Sequence, residues 1–321
     1  MSIGTGAKSA VTIGEETTFA TEAEVKYKVP FTSESLNHSV ETNQSEALLG
    51  NRAVKSLAPG KEGAEGSIDL EAYPGIMGFL FYLALGKSVA YDSNSDSTDD
   101  STKIIPIGIT EDLPSATIEV DHSGNKIKYT GMTVNSLSFS GAVGDIPTMS
   151  VDFTGKEEII GAATVSSTLV EPGEDPYYFK ELTLYNDEFT TVADLYSSID
   201  IEINNNIDAD DYRLDGTGKR KSVTANKLEV TGSVNIYFDS SVLTNEYSKY
   251  KNFEDAKIGI KLVKDTGEEL QIFLPRIKFT EMPHDIGGAD KISLNANFTS
   301  IIPALGDVIE VVDKTNDTGT Y

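Results

Sequence analysis

Period two dominates this chain. The segments "SIDLEAY", "ATIEVDHSG", "KIKYTG", "TVNSLSFSG", "TMSVDFTG", "SIDIEINN", "KLEVTGSVNIYFDS", "AKIGIKLVKDTGEEL", "LQIFLPRIKFT" and "KISLNANFTS" alternate apolar and polar residues between Gly, Asn and Asp turn signals. Successive side chains of a strand leave opposite faces, so the pattern demands antiparallel sheets with one dry and one wet face. A mainly β chain of at least ten strands is expected.

One run breaks this rhythm. From Ile76 to Leu85 nearly every residue is apolar, yet a bilayer span needs about 20 such residues, so the run is too short to cross a membrane. Pro74 suits a first helical turn and Gly86 a C-terminal stop, which predicts a helix over 74–86. Its apolar residues cover every side, so the helix should be buried all round. Phe79, Phe81 and Tyr82 are therefore candidates for packing against a partner domain or subunit as well as their own sheet. A second, weaker helical segment runs from Ser241 to Phe253. Three stretches are too polar to bury much area and are expected to be mobile: the first twenty-five or so residues, Tyr91 to Lys103, and the tail "DKTNDTGTY".

The chain also repeats itself in outline. "GSIDLEAYP" leads into the first helical segment and "GSVNIYFDS" into the second, with Gly66 to Leu70 matching Gly232 to Ile236 position for position. Closing hairpins correspond as Leu137-Ser138-Phe139 against Ile277-Lys278-Phe279, and Ser150 to Thr154 against Asn295 to Thr299. Upstream, each half has an alternating strand running into a polar, basic-tipped loop, over 35–56 in one and 198–222 in the other. Four features in one order suggest an internal duplication, with domains at 1–165 and 166–321.

Composition narrows the chemistry. Without cysteine, a disulfide scaffold, a thiol nucleophile and a thiolate zinc site are excluded. His38, His122 and His284 show no ligand spacing, and His284 reads as a loop residue. Asp208, Asp210, Asp211 and Asp215 do not follow the calcium-loop ladder and read as a solvated loop. "GAVGDIPT" lacks the lysine and following helix of a phosphate loop. No catalytic or metal-binding residue and no cofactor is assigned. A net charge of -25 and a pI near 4.4 oppose tight binding to nucleic acid. The only basic knots, Arg52 with Lys55 and Lys61, and Lys219-Arg220-Lys221, are expected to pair with acidic surfaces within the chain or on an identical copy. Nothing near the N-terminus reads as a secretory signal, which points to a cytoplasmic origin.

Taken together, "GNRAVKSLAPGKEGAEGSIDLEAYPGIMGFLFYLALG", "GMTVNSLSFSGAVGDIPTMSVDFTG", "SIDIEINNNIDADDYRLDGTGKRKSVTANKLEVTGSVNIYFDS" and "LQIFLPRIKF" resemble the major tail tube protein of long-tailed bacteriophages, over roughly Glu41 to Phe298. The resemblance implies an antiparallel β-sandwich or half-barrel with short flanking helices, and a structural virion protein rather than an enzyme. It implies rings that stack into a hollow tube through which genomic DNA passes, with six tube domains per ring. Two domains per chain would give a trimeric, pseudo-hexameric ring, and one larger domain a hexamer. Tape measure and tail completion proteins are the implied further partners, the phage tail the implied location, and the 91–103 or 41–61 loop the implied reach to neighbouring rings. Two other classes share the strands. A secreted or surface adhesin subunit would carry a secretion signal. A β-sandwich carbohydrate-active enzyme would pair two carboxylates across a cleft and use tryptophan platforms, and the chain has no Trp.

Overall fold

The computed structural model describes residues 4–47, 50, 53–93, 100–108, 110–284, 291–314 and 321. The alternating segments form strands as expected, and 19 of them join into one hydrogen-bonded network, with a separate two-stranded hairpin at Asp208–Asp211 and Ser222–Thr224. The architecture is a large mixed sheet of the sandwich kind. Among the described residues its pairings do not close into a barrel.

The network has two parts that share one long strand, Asn125–Ala142. Its first half pairs with Ser115–His122 and Glu157–Ile160. Beyond Ser115–His122 lie Ala10–Glu16, Val25–Val29 and, in parallel, Val165–Val170. Its second half pairs instead with Thr148–Gly155, then Leu57–Glu71, then the edge strands Phe31–Glu34 and Asn37–Gln44. On its other side the sheet continues through Tyr196–Asn204, Glu229–Tyr237, Ser293–Ser300 and Glu269–Glu281. The residue-165 boundary thus falls within a strand that pairs with the first half.

The order Leu57–Glu71, Thr148–Gly155, Asn125–Ala142 recurs as Glu229–Tyr237, Ser293–Ser300, Glu269–Glu281. Registers agree closely: Phe153 faces Gly66 and Val134 on its two sides, and Phe298 faces Gly232 and Phe279. Each closing hairpin also skips one residue at the same point, Asn135 in one and Thr280 in the other, a bulge that bends the strand. This register corrects the hairpin alignment drawn from sequence, because Phe279 stands where Val134 does, five residues from the expected Leu137 to Ile277 match.

Helix α1 is Met77–Leu85, shorter than 74–86 because Tyr73 to Ile76 form a turn first. It ends at Gly86 in the left-handed conformation (φ 91°), whose N–H bonds the Tyr82 carbonyl. All nine residues are buried. Gly78 is required by close approach, since a Cβ there would overlap the Asp313 carboxyl and the Tyr321 hydroxyl. The second helical segment splits into α2, Ser240–Thr244, and α3, Glu246–Asn252, broken at Asn245. Asp239 caps α2 by accepting from the Ser241 and Val242 N–H groups.

All three stretches expected to be mobile include strand residues where described. Val11 and Ile13 are fully buried between two neighbouring strands, and Glu16 is held by the Ser115 and Thr117 hydroxyls and the Gly131 N–H. At the two ends of the 91–103 stretch, Tyr91 pairs with Ser101 where Gly86–Tyr91 lies along Ser101–Pro106; residues 94–99 lie outside the described residues. In the tail, Glu310–Lys314 is a strand between Glu269–Glu281 and Ser101–Pro106. Tyr321 stacks on Tyr82 with ring centroids 5.9 Å apart.

Candidate self-assembly surface

The surface is best built from a junction inside the chain. Ser198 to Asn204 of the second half pairs with Ala142 to Ser136 of the first, strand edge against strand edge. Just past Asn204 the chain leaves the sheet and returns as the Asp208–Asp211 and Ser222–Thr224 hairpin, which folds back over the first half. The Glu62 N–H donates to the Gly218 carbonyl at 2.9 Å. Lys219 pairs with Glu157, and Lys61 with Asp210. Arg220 is 7% exposed and donates to the Gly155 and Ala209 carbonyls, so its charge is buried but hydrogen-bonded. Its guanidinium lies over Gly63, where a Cβ would stand 3.1 Å from Nη2.

Of the basic knots, Lys61, Lys219 and Lys221 form ion pairs within the chain. Lys221 pairs with Asp215 at 2.5 Å, and this bond holds the Asp215 carboxyl below the usual carboxylate range, helped by Thr217. Asp210 raises the Lys61 ammonium in turn. The four aspartates of the solvated loop are thus partly consumed by neighbours, with Asp211 bound by Arg213 and Ser222. Among the described residues no group of three or more His, Asp or Glu side chains is placed to hold a metal ion. Lys55 is exposed, and Arg52 lies outside the described residues. Sequence reasoning missed Glu157 and Gly155, the acceptors of this contact. Only the equal ten-residue intervals Ser56 to Gly66 and Ser222 to Gly232 hinted that the two loops share a frame.

The three aromatic candidates sit elsewhere. Phe79 and Phe81 are 1% exposed and Tyr82 9%, because strands of both halves enclose α1. Phe79 stacks on Tyr27 at 4.1 Å, Tyr82 donates to Glu15 at 2.6 Å, and Asn205 of the second half bonds the Ala84 carbonyl. Burial with this bond pushes the Tyr82 hydroxyl well above its ordinary value. Phe79 and Tyr82 touch residues of both halves of the chain, Tyr27 or Glu15 and Tyr321, and none of the three side chains is offered at the surface.

Among the described residues several strands pair with one other strand only, including Gly86–Tyr91, Glu157–Ile160, Val165–Val170 and Leu182–Tyr185; two further open edges end the run of strands that the junction joins. Phe31–Glu34 and Asn37–Gln44 pair only with Leu57–Glu71 among the described residues. Glu269–Glu281 pairs on its outer side as far as Ala256 against Ile277, and among the described residues those beyond Ile277 pair only with Ser293–Ser300. Open edges of this kind are templates for another strand. The wet face between them carries Asp69, Ser138, Ser140, Ser150, Asp152, Asp200 and Glu202, linked by bonds such as Ser140 to Asp200 at 2.6 Å and Ser150 to Asp69 at 2.5 Å. Lys278 and Arg276 lie at its far side, paired with Asp255.

No helix among the described residues is long and apolar enough to cross a membrane. A search of curated proteins finds none that matches. A family model described as phage tail tube protein matches residues 6–300. That match spans most of the chain and agrees with its β-rich sheet and unpaired edges: the chain belongs to the phage tail tube protein family, and is a structural protein rather than an enzyme.

Proposed function

We propose that the chain carries two tail-tube units and that three copies close into a pseudo-hexameric ring, which stacks into the tube of a phage tail. The observation that carries this reading is the internal junction, in which the last strand of one four-strand set pairs with the first strand of an equivalent set. Among the chain's open edges, Asn37–Gln44 and the end of Glu269–Glu281 are the same two edges again. By the pairing registers, Glu281 and Met282 of one copy would face Ser39 and His38 of the next, as Ser136 and Leu137 face Asn204 and Ile203 within the chain. Contacts of this head-to-tail kind make rings when the rotation closes, and closure removes the open edges.

In such a ring the hydroxyl- and carboxylate-bearing face lines the channel. Like charge keeps a passing duplex from adhering to the wall, and part of the net charge of -25 is thereby used. Tape measure and tail completion proteins are the partners expected inside and at the ends of the tube. Electron microscopy of the purified protein with symmetry determination tests the reading. Three chains per ring are expected; six chains per ring would overturn the duplication, and a basic or neutral lumen would overturn the lining.

A further inference from the structure

Beside the strand ends Glu229 and Ser300 lies an apolar groove of about 640 Å³, whose walls include Leu228, Thr231, Ser300, Ile301, Ile302 and Val308. We infer that this groove is the socket for Val54 to Leu57 of the neighbouring copy, an inference that rests on the ring reading above.

The reason is that its counterpart in the first half is already filled. The registers set Glu62, Gly63, Gly155 and Glu157 in the positions that Leu228, Glu229, Ser300 and Ile302 hold in the second half. Across those first-half positions lie Lys219 and Arg220, on the hairpin that follows Tyr196–Asn204. The hairpin that follows Asn37–Gln44 is its equivalent, and the shared ten-residue interval sets Ala53 against Lys219, Val54 against Arg220 and Leu57 against Val223. Across a ring junction this hairpin passes over the neighbour's groove, as 208–224 passes over the first half.

The chemistry changes on both sides together. Where the occupant is Lys219-Arg220, the socket offers Glu157 and the Gly155 carbonyl. Where the occupant is Ala53-Val54, the socket sets Ile302 opposite Ala53 and Ser300 and Glu229 opposite Val54, with Leu228 beside them. In the chain alone Val54 is 55% exposed, Leu57 66% and Ile302 69%, so apolar surface stands open on both partners of the same contact. A charged pair in one junction and an apolar pair in the other also keep the two hairpins from exchanging places, since a buried unpaired charge is costly.

The chain has no cysteine, which makes a thiol test clean. Val54→Cys and Ile302→Cys are both at exposed positions, so neither should disturb folding. The two single variants are mixed under assembly conditions and treated with a short bismaleimide, and the double variant is treated in parallel, with rings checked by electron microscopy. Covalent heterodimers in the mixture, and covalent species ending at a closed trimer in the double variant, are expected. Rings without Val54 to Ile302 cross-links would overturn the socket and leave the ring reading intact. Covalent ladders passing beyond three chains would overturn it as a contact within rings, and monomers throughout would remove the ring reading and the socket with it. As an independent arm, Ile302→Glu should lower ring yield at least tenfold, and Val54→Arg in the same chain should restore it. Undiminished yield in Ile302→Glu would also overturn the inference.

Discussion

Replacing Asp313 by Asn should stabilise the protein, and only above mildly acidic pH. Asp313 is 4% exposed beneath α1, with its carboxyl against Gly78 and accepting from the Tyr321 hydroxyl. Burial raises its pKa from 3.8 to about 7, opposed by the Tyr321 bond and reinforced by Glu268. The folded chain thus keeps a proton that the unfolded chain releases above pH 3.8. Linkage then makes stability fall as pH rises from about 4 to about 7, with a slope of at most about 1.4 kcal/mol per unit for this group. Integrated over that window the loss is roughly 4 kcal/mol as an upper bound. Asn is nearly isosteric, can accept the same Tyr321 bond and has no proton to lose. Urea unfolding of both proteins from pH 4 to 8, at concentrations where the chain is monomeric, measures the difference. Curves that run parallel across the window, or an Asp313→Asn protein that is the less stable at pH 8, would refute the reasoning.

Three other substitutions probe separate parts of the chain. Phe81→Ala removes a side chain that is 1% exposed, so the isolated chain should lose about 3–5 kcal/mol; a normally stable monomer that no longer forms rings would instead show that Phe81 serves another copy. Arg220→Ala strips the charged donor from the buried Gly155 carbonyl and the half-buried Ala209 carbonyl, at a cost of about 2–3 kcal/mol in denaturant unfolding, and a change within error would mean that the hairpin contact contributes nothing. Asp200→Lys, on the wet face of the sheet, should leave ring formation intact while making assembled tubes retain short duplex DNA at low salt. Equal retention by the unaltered protein would speak against a luminal position.

Much of the sheet was legible because side-chain alternation is a local property. "SIDLE" and "TMSVDFTG" lie within strands whose buried and exposed faces follow the sequence pattern. Alternating strands align almost equally well at several shifts, however, so the hairpin correspondence was placed five residues off until hydrogen bonding and the bulges at Asn135 and Thr280 set it. The N-terminal strand was misjudged for a related reason. Ala10–Glu16 is short and ends in two glutamates, and its burial depends on strands from 25–29 and 115–122 and on donors that satisfy Glu16. The aromatic face of α1 was correctly read as buried, but a helix that is apolar all round does not say whose surfaces cover it.

What the amino-acid order determined by itself was the kind of chain this is: mainly β, wet on one face of its sheets, too short in its apolar run to span a bilayer, free of thiol chemistry and strongly acidic. Those properties follow from the periodicity and composition of neighbouring residues. The tertiary structure decided which edges meet and which stay open, that both halves enclose α1, and that Arg220 fills a socket in the first half while an apolar groove lies open in the second. Each of these depends on residues far apart in the chain, where register, burial and hydrogen-bond partners are settled only when the strands pack.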